Sequence, residues 1–325
     1  MAVRRSMCPW DMAPNVSCMS EPRHRPAVPV AGAAAALLAT LWIALGGCGG
    51  GADATTPTGD SGDRFDGDRA FADVRAQVAL GPRPSGSRAA VTLSRSLARE
   101  LRAAGVDDVR IQAPLRNVVG TIPGREDGFV VLGAHYDTKP GIPGFVGAND
   151  GASGTAVVLE LARALPRTMP GPGVAIALFD GEEARPGREF SADGTRGSRR
   201  YLDLAAAGRQ GSPPLSAIRA MVLLDMVGDC DLAIPREESS DERLYALFAD
   251  ADPDVFSGTT GGVEDDHTPF QEAGIPAVDL IDFEYGPGPS PGEWWHTPED
   301  DLGKVCPAAL DAVGGATLRA LPRIR

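Results

Sequence analysis

The chain holds four histidines, His24, His135, His267 and His296, and the last three lie close to acidic residues. His135 stands two residues before Asp137, so in extended chain their side chains share one face. That spacing suits a metal-ligating imidazole with a carboxylate beside it to orient the site, and equally a core histidine followed by a turn aspartate. Asp150, in Asn149-Asp150-Gly151, precedes a helical pattern and is either a ligand or an N-terminal cap. Glu182 and Glu183 are adjacent carboxylates fed by an apolar run, where plain surface charge would repel. Neighbouring residues point different ways, which lets one bind a metal while the other faces a substrate as a base. His135, Asp150, Glu183, Asp225 and His296 together make a set of N and O donors suited to zinc. The five cysteines include no C-x-x-C pair, so zinc ribbons, thioredoxin-like motifs and disulfide-dense scaffolds are excluded, and any metal must rest on His, Asp and Glu.

These residues follow a recurring pattern. Short apolar runs at 118–122, 129–134, 174–179, 221–224 and 277–281 read as buried strands. His135 to Asp137 follow the second run, Asp180 to Glu183 the third and Asp225 the fourth, and a loop after the fifth delivers Trp295 and His296. Helical periodicity at 88–104, 152–165, 241–249 and 307–321 separates them, and alternation of strand and helix predicts a largely parallel sheet covered on both faces. In such sheets ligands bind beyond the carboxyl ends of the strands, where the polar residues stand. No internal repeat or second domain boundary is evident, so residues 65–325 read as one α/β domain.

With 325 residues, 43% hydrophobic and 23% charged, the chain is long and apolar enough for a substantial core. A net charge of -13 argues against a nucleic-acid partner, which requires a basic surface. The first 48 residues read as an address: arginines at 4, 5, 23 and 25 precede an almost wholly apolar stretch from Ala27 to Leu45. The run ends Leu45-Gly46-Gly47-Cys48, which resembles the bacterial lipoprotein cleavage box, with Cys48 as the lipidated residue. An uncleaved membrane anchor and ordinary secretion are the alternatives, and Met12 or Met19 as the start would leave a more ordinary leader. Residues 49–64 read as a flexible tether rich in Gly, Thr, Asp and Pro. All three readings put the body of the protein outside the cytoplasm, tethered to the membrane in the first two. Residues 1–48 hold four basic and two acidic residues, so the remainder carries -15. Cys230 and Cys306 are its only thiols, either paired or both free and buried.

Seven segments in order, GAHYDT (133–138), GANDGASG (147–154), LFDGEEA (178–184), GSRRYL (197–202), LLDMVGD (223–229), DDHTPF (265–270) and WWHTPEDDL (294–302), resemble the zinc-dependent aminopeptidases with a co-catalytic metal pair and the related animal-type glutaminyl cyclases. The resemblance covers roughly Gly81 to Leu321 and implies a single domain with a mixed, mostly parallel sheet flanked by helices. It implies His135, Asp150, Glu183 and His296 as zinc ligands, Asp150 bridging when two metals are present, Asp137 as the orienting carboxylate, and Glu182 as general acid/base. Asp225 is implied as the remaining ligand of the second metal in the aminopeptidases, and as a hydrogen-bonding partner of the substrate beside one zinc in the cyclases.

Both families imply peptide or protein N-termini as substrates. In an aminopeptidase Glu182 would deprotonate a water that attacks the first peptide bond; in a cyclase it would take a proton from the α-amine that attacks the Gln side-chain amide. The stretch from Gly261 to Phe270 resembles the cyclase loop, which implies a hydrogen-bond network of Asp265 with Asp225 and Glu182. Trp295-His296-Thr297 is similar too, with Trp295 walling the pocket. Gly151 instead matches the peptidases, Phe190 is the nearest aromatic where the cyclases carry a tryptophan, and Asp279 replaces a histidine. The cyclase is the leading expectation. His267 is expected near the site but off the metal, Trp294 at the rim, and Tyr136 in the packing.

Overall fold

Six strands, β1 (Asp107–Ile111), β2 (Val118–Ile122), β3 (Phe129–His135), β4 (Gly173–Phe179), β5 (Ile218–Asp225) and β6 (Ala277–Ile281), form one sheet in the order β1-β2-β4-β3-β5-β6. The structure, a computed structural model, describes residues 65–325; the leader, Cys48 and the tether lie outside the described residues. Strands β4, β3, β5 and β6 run parallel, whereas β1 and β2 pair antiparallel at one edge. The sheet is therefore mixed, with a parallel half that carries every strand end singled out above.

Alternation along the strands feeds two cores. Val130, Leu132 and Ala134 of β3 face one side with Val222 and Leu224 of β5, while Val131, Met221 and Leu223 face the other. Burial on both faces explains why these strands read as continuous apolar runs. The first face is covered by α1 (Gly67–Val78), α2 (Arg88–Ala103), α3 (Ser153–Ala164), α6 (Glu242–Ala251) and α8 (Pro307–Ala320). On the second lie α5 (Arg196–Ala206) and α7 (Thr268–Glu272), where Tyr201 and Phe270 pack around Phe179, and a single turn, α4 (Phe190–Asp193), precedes α5. Helix α3 approaches the sheet so closely that a Cβ on Gly154 would stand 2.0 Å from the Leu224 carbonyl oxygen.

The predicted helices appear within two residues of their expected ends. Helices α1, α4, α5 and α7 and strand β1 were not anticipated. Strand β1 lies at the sheet edge with no residue fully buried, so it carries no apolar pattern. Cys230 and Cys306 form a disulfide with a Cα separation of 4.9 Å, settling that alternative and tying the loop after β5 to the start of α8. Among the described residues, no helix is long and apolar enough to cross a membrane.

Candidate active site

The four parallel strands end side by side, and their last residues and following loops bring the predicted residues together. His135 closes β3, Asp225 closes β5, Glu182 and Glu183 follow β4 by three and four residues, and the loop beyond β6 returns Trp295 and His296. Asp150 arrives from the turn before α3. It is not the helix cap: Ala152 holds that position, with no side-chain cap bond. Gly151 sits at φ +92°, and a Cβ there would lie 2.6 Å from the Asp137 carbonyl oxygen. The turn thus demands glycine after the candidate ligand.

Two donor triplets share Asp150. His135, Asp150 and Asp225 form one, and Asp150, Glu183 and His296 the other; within each, the donor atoms lie within 4.8 Å of one another. His135 Nε2 is 3.1 Å from Asp225 Oδ1 and 3.3 Å from Asp150 Oδ1. His296 Nε2 is 3.0 Å from Glu183 Oε1 and 3.3 Å from Asp150 Oδ2. Burial disfavours charge on His296, yet its hydrogen bonds to Asp150 and Glu183 outweigh this and push its pKa up to about 9. On His135 the Asp225 carboxylate, with Asp137 and Asp150, likewise overcomes burial and raises it. A buried pocket of carboxylates that favours positive charge at both facing imidazoles is one that a divalent cation fits, and N and O donors at this spacing suit zinc.

Around the triplets the other carboxylates take distinct places. Asp137 Oδ1 lies 3.8 Å from His135 Nδ1, too far for a hydrogen bond, and accepts instead the N–H groups of Gly181 and Glu182 at 2.9 and 3.1 Å. It therefore fixes the backbone of Glu182 rather than the imidazole. Glu182 is buried, and desolvation with the neighbouring Glu183 charge raises its pKa well above the usual carboxylate range. Asp265 is raised by burial, then by Asp279 and Asp225. The expected hydrogen-bond network takes a different form: Asp265 Oδ1 accepts its neighbour Asp266 N–H at 2.5 Å, and the charges of Asp225 and Glu182 act on it through space.

A cavity of about 460 Å³ opens onto these groups, with Ile281, Phe283, Val263, Phe190 and Trp295 as its apolar walls. The Trp295 ring stacks on His296 at 3.8 Å between centroids, and Phe283 meets it edge-on. Lys139, not anticipated from the sequence, lines the cavity and pairs with Glu183 Oε2 at 2.9 Å; a lone lysine after the GAHYDT segment carries no periodic signal. Trp294 lies against Tyr285 and lines a neighbouring cavity, so it is not the rim of this one. His267 is fully buried, 3.5 Å from Glu237 and 3.6 Å from Asp279, and belongs to neither triplet. Tyr136 is buried, its hydroxyl donating to the Arg116 carbonyl at 3.0 Å.

The solved structure of a glutaminyl cyclase from an Acidobacteriales bacterium is 31% identical and superimposes with a TM-score of 0.70, covering 82% of this chain and 97% of that one. A leucine aminopeptidase precursor from Bacteroides thetaiotaomicron is 26% identical with a TM-score of 0.68, covering 81% and 99%. The glutaminyl-peptide cyclotransferase of Gloydius blomhoffii is 31% identical over 223 residues, 57% of this chain and 59% of that protein. The chain thus spans less than two thirds of the curated relatives it matches. The model of peptidase family M28 matches residues 117–321, which contain every candidate ligand, and the chain belongs to that family.

Proposed function

We propose that the chain is a zinc-dependent glutaminyl-peptide cyclotransferase, converting an N-terminal Gln of a peptide or protein to pyroglutamate with release of ammonia. The observation that carries this reading is the cavity itself: an apolar-walled space of about 460 Å³ in which Glu182, Asp225 and Asp265 stand beside the Asp150-Glu183-His296 triplet. The glutaminyl cyclase likeness over 97% of a solved chain supports it. Asp150, Glu183 and His296 would hold one zinc, which when bound would polarise the side-chain amide carbonyl as a Lewis acid.

The chain's own residues do the rest. Asp225 and Asp265 hold the α-amino group by hydrogen bonds, and Trp295 walls the glutamine side chain. Glu182 accepts the proton that the α-amine loses as its nitrogen bonds to the side-chain carbonyl carbon. It returns that proton to the amide nitrogen, which leaves as ammonia, so atoms and charge balance. A base with this task works best with a pKa drawn toward neutrality, the direction in which burial and Glu183 move Glu182. Asp137 holds the Glu182 backbone for that exchange.

A second reading, a zinc aminopeptidase, is favoured by one observation: Asp225 lies 3.1 Å from His135 and completes the other triplet, giving places for two zinc ions. Glu182 would then deprotonate a water that attacks the first peptide bond. Following ammonia and free amino acid side by side on a Gln-initiated peptide separates the two. Ammonia alone supports the cyclase; release of the first residue overturns it.

We infer also that residues 1–48 direct export and that Cys48 carries the lipid anchoring the enzyme at the cell envelope. The disulfide between Cys230 and Cys306 supports an oxidising compartment. Replacing Cys48 with Ala should release the protein from membranes; unchanged attachment and processing would remove lipidation at that position.

A further inference from the structure

Two fully buried residues, an arginine and an aspartate, grip the turn that carries Asp150. Arg83, in the loop between α1 and α2, is the one fully buried lysine or arginine among the described residues, and no carboxylate pairs with it. Its guanidinium donates to three main-chain carbonyls: Tyr136 at 2.9 Å, Gly147 at 2.8 Å, and Val146. Its own N–H donates to the Thr138 hydroxyl at 2.9 Å. Arg83 thereby bolts the end of β3, where His135 lies, to the segment that leads into Asp150.

Asp300 takes the other side of that segment. Its carboxylate accepts the Asn149 N–H at 2.7 Å and the Asp150 N–H at 3.1 Å, its carbonyl accepts Ala148 N–H at 3.4 Å, and the Tyr285 hydroxyl donates to it at 2.8 Å. Asp300 lies four residues after His296, so the same carboxylate ties the Asp150 turn to the loop of the opposite ligand. The pattern of donors and acceptors fits the task. The Arg83 guanidinium meets main-chain carbonyl oxygens and the Asp300 carboxyl oxygens meet main-chain N–H groups, so each end of the peptide dipoles finds its complement, with the charge-assisted bonds on the arginine side. A planar fork with five N–H donors is what reaching three carbonyls at once requires, so lysine is no substitute for Arg83.

We propose that Arg83 and Asp300 are positioning residues that clamp residues 146–150 from both sides and so orient the Asp150 carboxylate between the two donor triplets. The inference rests on the reading of Asp150 as a zinc ligand. Neither residue lines the cavity, and both act through Asp150. Burial lowers the Arg83 pKa only to about 10, so it stays charged at neutral pH.

The test compares Arg83→Lys and Asp300→Asn with the parent in three readouts: zinc affinity by chelator competition, the visible spectrum of the cobalt-substituted protein, and kcat against KM. Asp300→Asn is isosteric and keeps one acceptor, so it decides the question alone if Arg83→Lys fails to fold. Asp73→Asn, which weakens the ion pair between α1 and Arg163 of α3, serves as a destabilised reference. The clamp predicts zinc affinity weakened by roughly 10- to 100-fold, altered cobalt bands, and a loss carried by kcat. Asp73→Asn should keep parental affinity and spectrum. Folded clamp variants with parental zinc affinity and cobalt spectrum would make Arg83 and Asp300 mere braces of the fold and overturn the proposal. If the parent binds no zinc at all, the metal reading fails first and takes the proposal with it.

Discussion

At the scale of single residues, the account turns on the division of labour between Glu182 and Glu183. They are adjacent in sequence, yet Glu183 faces His296 and Lys139 while Glu182 lies buried near His135, with Oε2 3.9 Å from its Nδ1. Glu182→Gln should cut turnover by about 10² to 10⁴ while zinc content, read by elemental analysis, stays at the parental value. Turnover surviving in that variant would remove Glu182 as the base. Asp225→Asn separates the two readings of the metal site: the cyclase predicts loss of activity with one zinc retained, whereas a fall from two bound ions to one would mark the aminopeptidase. These residues were legible because each stands at or within four residues of the end of an apolar run, in a segment with a recognisable neighbour pattern. Lys139, Arg83 and Asp300 were not, because their roles arise from contacts with residues far away in sequence or from main-chain groups that no side-chain pattern reports.

At the scale of elements, the parallel half of the sheet was readable because β3, β4, β5 and β6 are buried on both faces, leaving little but apolar residues to their ends. Strand β1 escaped for the opposite reason, and α1 because its buried face is made mostly of small or polar residues, Gly67, Ala70 and Gln77 beside Val74. The turn at Gly151 is the element-scale feature most open to test. Gly151→Ala places a side chain at φ +92° against the Asp137 carbonyl oxygen, and should cost about 1–3 kcal/mol in unfolding free energy and weaken zinc binding. Parental stability in a denaturant titration would show that the turn relaxes freely. Breaking the disulfide with Cys306→Ser opens a link spanning 76 residues, and should lower stability by about 2–5 kcal/mol with the catalytic constants little changed.

Across the whole molecule, acidic groups set the response to pH. Burial raises Asp282 to about 7, against the Ala233 N–H bond that opposes it. A raised folded-state value means stabilisation present in full below the unfolded value of 3.8 and lost as pH climbs through about 7. Glu237 runs the other way: hydrogen bonds from His267 and from the Ser239 and Val263 N–H groups overcome burial and hold it at about 2. Its contribution is present above the unfolded value of 4.5 and fades as pH falls toward 2. Melting temperature followed against pH should therefore show a decline between pH 4 and 8 that Asp282→Asn flattens; an unchanged slope in that variant would assign the decline to other groups. The surplus of acidic residues also suits substrates that arrive with a free amino terminus, since the field of the protein steers cations toward it. The central claim is the reaction itself. Mass spectrometry of a short Gln-initiated peptide incubated with zinc-loaded protein, beside a Leu-initiated peptide, should show loss of ammonia from the intact Gln peptide faster than the spontaneous rate and no change in the Leu peptide. Release of the first residue from either peptide would contradict it.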